Sequence, residues 1–344
     1  MNSSFVLSND NNNLSSISIK KRDNQIDILR AIALLCIICA HVSPPSLLTQ
    51  FRSFDVPMMV FLSGVVFIPS WKRNKGGYIQ YVSKRFIRIV VPTWIFLFLY
   101  YCLERHDIEF VLTTFTFKTG WYVWIMRVFF SMALLSPIVL LFFKINKINN
   151  VLLLLFFLLI LNEFLGAYIG TLGSGNILVI LEMTIPYFVI FTLGSQIGRL
   201  NRKTLFILLF LSLLCYLFFA LVLYQINGYY VLTNVYKYPP RLYYISYALS
   251  CVLLMWIYKN YISILIERLY LNNVLIFIGR HTMWIYFWHI PLVERVALGF
   301  YLYNFLVVLL LSCLLTYIQH TIILIISKRL PHNIANYLKI IFDS

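Results

Sequence analysis

Asp27 and Arg30 stand three residues apart, and His41 follows after ten apolar residues, 31–40. A histidine takes up and returns a proton near neutral pH, which is what general base catalysis requires. Asp27 and Arg30 are spaced to pair on a helix, which lowers the cost of placing both charges at a membrane. Eleven helical steps turn about 1100°, within about 20° of whole turns, so Arg30 and His41 share a face roughly 16 Å apart. Pro44-Pro45 then ends the helix. Two readings stay open here. His41 is either a base or a histidine hydrogen-bonded between helices, and Arg30 is either part of a site or an anchor for topology.

A second chemical feature is Lys84-Arg85-Phe86-Ile87-Arg88 ahead of Pro92. Arginines three apart point to one side of a helix and can fork onto phosphate oxygens. With Lys72, Arg73 and Lys75 close by, this is the strongest anion site in the chain, suited to a coenzyme A thioester or to anionic lipid headgroups. Between these features lies Asp55-Val56-Pro57, followed by Phe61-Leu62-Ser63-Gly64. Ser63-Gly64 offers a small surface for a neighbouring helix or a narrow ligand. Glu182 precedes Pro186 and is placed either to pair with Arg127 or to line a cavity; His289 sits in an aromatic stretch after His281. Gln319-His320 suits an interhelical contact. Tyr224, Tyr229, Tyr230, Tyr236 and Tyr238 suit either sugar stacking or an interfacial aromatic belt.

Membrane spans must position these groups. Of 344 residues, 61% are hydrophobic and 12% charged, with mean hydropathy +0.84, which excludes an ordinary soluble domain. Apolar length predicts an all-α, polytopic bundle of about ten spans near 27–45, 55–70, 88–104, 121–143, 150–167, 177–198, 204–224, 242–258, 281–297 and 305–327. The net charge of +16 gathers in short stretches between these runs, as expected for topology rather than for nucleic acid. With both termini cytoplasmic, 21 of the 28 basic residues fall on the inner side. The reading divides the chain into a flexible cytoplasmic tail (1–23), a membrane domain (24–330) and a short cytoplasmic tail (331–344). The six cysteines lie in or beside apolar runs, Cys36 and Cys39 within the first span, so neither a disulfide framework nor a zinc site is expected.

Taken in order, the Asp27…Arg30…His41 span, the Asp55…Ser63-Gly64 segment and Arg85-x-x-Arg88 resemble the membrane-bound acyltransferase-3 family. Its signature is Arg-x10-His followed by a cytoplasmic R-x-x-R. Gly120-Trp121-Tyr122 and the run from Ile278 through Gly279, Arg280, His281, Tyr286 and His289 to Pro291 extend the likeness over roughly 24–327. Where the family has Asp-Gly-Leu-Arg, this chain reads Asp27-Ile28-Leu29-Arg30; both ionisable residues are kept. The resemblance implies transfer of an acyl group, most often acetyl, from cytosolic acyl-CoA to a sugar hydroxyl across the membrane. It implies His41 as the catalytic histidine, with Arg30 and Asp27 ordering the site. Arg85, Arg88, Lys84, Ser63 and Gly64 become donor-binding residues, with Trp121, Tyr122, Glu182 and His289 as weaker acceptor contacts. The resemblance further implies acyl-CoA as a passing donor substrate with no tightly bound cofactor, no metal, a glycan or lipid-linked sugar partner, and a place in a bacterial inner membrane. The competing reading is a glycan exporter or flippase, with the polar spans lining a pathway. Against it, neither inverted repeats nor paired broken helices are legible. A membrane scaffold is a third reading, opposed by the polar groups concentrated on the first span.

Overall fold

The computed structural model describes residues 22–74, 76–104, 106–118, 121–169 and 177–342. Lys20, Lys21, Lys75, Arg105 and Gly120, together with the N-terminal segment before Arg22, lie outside the described residues. Helices make up the described fold, with no strand beyond one isolated bridge, Lys237 to Pro240. A chain this apolar can satisfy its backbone in lipid only within helices or a closed barrel, and the helices form here.

The site is carried by α1 (Asn24–Ala40), α2 (Ser46–Arg52), α3 (Asp55–Val65), α4 (Phe67–Arg73), α5 (Gly77–Leu103), α6 (Ile108–Phe115) and α7 (Trp124–Leu134). The rest comprises α8 (Ser136–Lys144), α9 (Ile148–Ile169), α10 (Ile177–Gln196), α11 (Arg202–Asn227), α12 (Leu242–Ile257), α13 (Lys259–Arg268), α14 (Asn272–Arg280), α15 (Thr282–Arg295), α16 (Tyr301–Ser327) and α17 (His332–Phe342). Local chemistry sets several ends. The Asp23 side chain caps α1 through the Gln25 N–H, Asn201 caps α11 through that of Thr204, and Gly228 at φ 76° closes α11 in the left-handed region.

Helix α3 packs chiefly on α10, and α1 packs on α14, α3 and α15. These helices form the core, with Leu34, Phe61, Tyr187 and Phe287 fully buried. Helices α9, α11 and α16 turn large apolar side chains outward, including Phe164, Phe218 and Leu310. Such a surface is stable in contact with hydrocarbon and not with water.

Among the described residues, six helical segments are long and apolar enough to cross a membrane, or eight if two bent pairs each count as one span. The bends are 47° between α7 and α8 and 67° between α12 and α13. Pro137, in the first turn of α8, removes a backbone donor where α7 would otherwise continue. Two of the ten expected spans fall short: α1 has 17 residues and α15 has 14, against about 20 for a full crossing. Helix α5 begins well before the expected 88, so Lys84, Arg85 and Arg88 ride on a helix rather than a loop. The segment after 331 is also helical. The Trp284 indole N–H donates to the Ile341 carbonyl at 2.9 Å, and the Phe342 ring stacks on Trp284, docking α17 on α15.

Candidate active site

Along α1, Arg30, Leu34 and Ile37 follow at the i, i+4, i+7 spacing of one helical face, with His41 next at i+11. Arg30, Leu34 and Ile37 all line one cavity of about 590 Å³. His41, one helical turn beyond Ile37, does not line it. The cavity's polar end gathers Arg22, Arg30, Arg73, Arg85, Arg88 and Arg280 from four separate stretches of chain. The acids lining it are Asp23 and Asp27. Toward His41 the walls become apolar, with Ile125, Met126 and Met59, and Tyr286 stands at that side. Positive charge focused in a low-dielectric cleft attracts a polyanion, and an apolar bore beyond it suits a thin uncharged chain.

Asp27 is the hub of the basic end. Arg22 forks onto both its oxygens at 2.7 and 2.8 Å, Arg30 lies at 3.5 Å and Arg280 at 3.6 Å. The Asp27 side chain is buried, and the backbone of Gly279 crosses directly over its carbonyl. One buried carboxylate thus orders three guanidiniums that line the cavity. The Arg30 partner expected from spacing is present, though Arg22 binds Asp27 more closely. Arg85 donates from Nε to the Tyr81 hydroxyl at 3.2 Å, which holds its fork over the ring.

His41 caps the C-terminus of α1, where its backbone N–H reaches the Ile38 carbonyl. Its Nδ1 lies 2.9 Å from Nε2 of His289 on α15, and the two rings stack at 5.0 Å between centroids. His289 is fully buried, and its Nδ1 bonds the Tyr286 carbonyl. A carbonyl oxygen only accepts, so His289 Nδ1 carries the proton and His289 Nε2 presents a lone pair. His41 Nδ1 must then donate, which leaves the His41 Nε2 lone pair for a ligand. The Tyr122 ring meets His41 edge-on at 4.8 Å, and the Tyr286 hydroxyl holds the Tyr122 carbonyl at 2.6 Å. Trp121 meets Tyr122 edge-on and continues to Tyr100, whose hydroxyl donates to Glu294 at 2.6 Å.

The expected residues therefore separate. Arg30, Asp27, Arg85, Arg88 and Ser63 line the cavity, and Trp121, Tyr122 and His289 cluster at His41. Three depart from expectation. Gly64 lies against the Phe191 backbone of α10, so it serves helix packing where a donor contact was expected. Lys84 turns to Asn74 and Gln80 at the surface, because its position beside Arg85 puts it on another face of α5. Glu182 pairs with Arg241 at 2.7 Å, not with Arg127, which donates to the Phe117 carbonyl. Trp121 and Tyr122 precede α7 instead of opening a span.

Residues not singled out from sequence include Arg22, Tyr81, Arg280 and Tyr286. Arg280 and Tyr286 lie within the Ile278–Pro291 run without a role read for them, while nothing local marks Arg22 as the closest partner of Asp27. Among the described residues, no group of three or more His, Cys, Asp or Glu is placed to hold a metal ion.

His41 and His289 are matched by a prediction. Replacing His289 with leucine removes the acceptor that fixes the His41 ring. In a turnover assay kcat is expected to fall by about tenfold or more, the loss of one buried hydrogen bond. His289→Gln, whose side-chain carbonyl can accept from His41 Nδ1, is expected to recover part of that loss. Equal rates for the leucine and glutamine variants would exclude a positioning role.

The model of the acyltransferase-3 family, described as an acyltransferase domain, matches residues 23–325. No curated protein and no solved structure matches the chain significantly.

Proposed function

Because the chain belongs to the acyltransferase-3 family, we propose that this membrane acyltransferase moves an acyl group, most simply acetyl, from cytosolic acyl-CoA to a hydroxyl of an envelope or exported polysaccharide. One observation carries the reading. A single cavity joins Arg30, Arg85 and Arg88 to Tyr286, and Tyr286 holds both Tyr122 and His289 beside His41. In this reading the coenzyme phosphates sit among the arginines and the pantetheine arm follows the Leu34–Ile37 wall. The thioester then reaches His41 from one side and the sugar from the other. The basic mouth faces the cytosol, both termini lie there, and α1 and α15 complete ten crossings as short spans shielded by the longer helices. A bacterial inner membrane, with acyl-CoA inside and glycan outside, supplies both substrates.

His41 Nε2 takes the proton of the sugar hydroxyl as its oxygen attacks the thioester carbonyl. The tetrahedral oxyanion collapses, the C–S bond breaks, and the sulfur leaves with that proton as coenzyme A thiol. The thioester is already activated, so alignment and base catalysis are the main demands on the protein.

Replacing Arg85 and Arg88 together with glutamine is expected to raise KM for acyl-CoA by about tenfold to a hundredfold, since each loses charge-assisted bonds to phosphate. Steady-state transfer of labelled acetyl-CoA in proteoliposomes reads this directly. An unchanged KM would remove the donor from this cavity. If these variants keep full acyl transfer while glycan export from cells stops, the transporter reading prevails.

A further inference from the structure

A second cluster of buried charge lies beyond the His41 end of α1, away from the arginine cavity. Arg52 Nη1 donates to Asp55 at 2.9 Å, and Lys237 Nζ donates to its other oxygen at 3.2 Å. The Val56 N–H also donates to Asp55 at 2.7 Å. Arg52, Asp55 and Lys237 are each more than nine-tenths buried. Two cations thus share one carboxylate in a low-dielectric setting, an imbalance that is costly without a further anion.

The unspent hydrogen bonds have the same sign. Gln50 uses its carbonyl oxygen on the N–H and hydroxyl of Thr233, while its Nε2 and the Nε of Arg52 are buried donors with no hydrogen-bond partner among the described residues. A site with surplus positive charge and surplus donors fits a ligand group that only accepts. A neutral hydroxyl brings its own proton and meets half of that demand.

The cluster is close to the transfer centre without being part of it. Both Lys237 and Arg52 act electrostatically on His41, yet the His41 ring contacts described are Tyr122 and His289. An anion held here would therefore be offset from the reacting hydroxyl, as a substituent on the same or the neighbouring sugar would be. It is also separate from the donor phosphates, for which the opposite end of α1 is furnished. Building on the acyltransferase reading, we propose that Arg52 and Lys237 hold the carboxylate or phosphate of an acidic acceptor glycan.

The test uses the full chain in phosphatidylcholine proteoliposomes with labelled acetyl-CoA. Acceptors are a glucuronate-containing oligosaccharide, a phosphorylated one and their neutral glucose counterpart. The ratio of kcat/KM, acidic over neutral, is expected to exceed about tenfold in the wild type, the range of one charge-assisted hydrogen bond. Lys237→Gln and Arg52→Gln are expected to bring that ratio toward one, and Lys237→Arg to retain it. Free glucuronate is expected to compete with the acidic acceptor and not with acetyl-CoA, a wild-type measurement independent of whether the variants fold. A wild-type ratio near one overturns the proposal while leaving the acyltransferase reading intact. A ratio unchanged in folded variants, or a loss confined to kcat on all acceptors, overturns it in favour of oxyanion stabilisation. Stimulation by phosphatidylglycerol vesicles with no acceptor preference overturns it in favour of a lipid headgroup. Absence of transfer to any acceptor overturns the acyltransferase reading itself.

Discussion

His41→Ala is expected to lower kcat for acyl transfer by about 10²–10⁴-fold, the usual contribution of a positioned general base. Binding of acyl-CoA is expected to persist, because the arginines that line the cavity sit at its far end and His41 does not line it. The substitution spares the backbone of α1, whose last turn is closed by the His41 main-chain N–H and not by its ring. It also strips His289 of its partner, leaving a fully buried imidazole with an unused Nε2 lone pair. His289 cannot replace the lost base, since its Nδ1 is tied to Tyr286 and its Nε2 points where the His41 ring stood. The two histidines are therefore expected to act as a unit. The double substitution His41→Ala with His289→Leu is expected to be little slower than His41→Ala alone, a strongly non-additive result. Single-turnover transfer of labelled acetyl from bound donor separates this loss of chemistry from any loss of binding. Wild-type turnover in a folded His41→Ala protein would remove the histidine from the mechanism.

Sequence spacing carried the first span well because its information is local. Arg30, Leu34 and Ile37 do share a lining face, as 3.6-residue periodicity requires, and Asp27 does approach Arg30. The same holds for Arg85 and Arg88, which reach one cavity from successive turns of α5. The pairing of His41 with His289 joins residues 248 apart, and that of Asp55 with Lys237 joins residues 182 apart. No periodicity reports such contacts; they follow from which helices pack together. Among the described residues six to eight spans are evident by length where ten were expected, for a different reason. Apolar length cannot distinguish one crossing from two short helices meeting at an angle, as at Leu135 and Tyr258. Nor does it show that α1 stops at Ala40, where a positive-φ Ser43 and two prolines redirect the chain into α2. Ser63 and Gly64 are adjacent and therefore point in different directions on α3, so one lines the cavity and the other meets α10. A motif read as a unit was two functions on two faces.

Gly64→Leu is expected to prevent folding of the bundle, the largest stability effect of any single change considered. A Cβ at Gly64 would stand 2.0 Å from the Phe191 carbonyl oxygen of α10, well inside van der Waals contact. The contact is reciprocal, since a Cβ at Gly194 would stand 2.2 Å from the Phe61 carbonyl oxygen of α3. Both obstacles are backbone, so no rotamer change relieves them, and the helices themselves must separate. Small residues permit such close crossings, and in lipid it is packing and polar contact that hold helices together. Even alanine is expected to cost about 1–3 kcal/mol by overpacking, with leucine exceeding that range. Separation would also move the backbone from α3 into α4 that carries Ser63 and Arg73 along the cavity wall, loosening the proposed donor site before the bundle opens. Gly198→Ala is the matched control, because a Cβ there meets nothing within 4 Å. Detergent-solubilised yield, monodispersity and thermal melting are expected to collapse for Gly64→Leu, to fall measurably for Gly64→Ala and to hold for Gly198→Ala. A Gly64→Leu protein that melts like the wild type would mean that α3 and α10 do not cross at this distance.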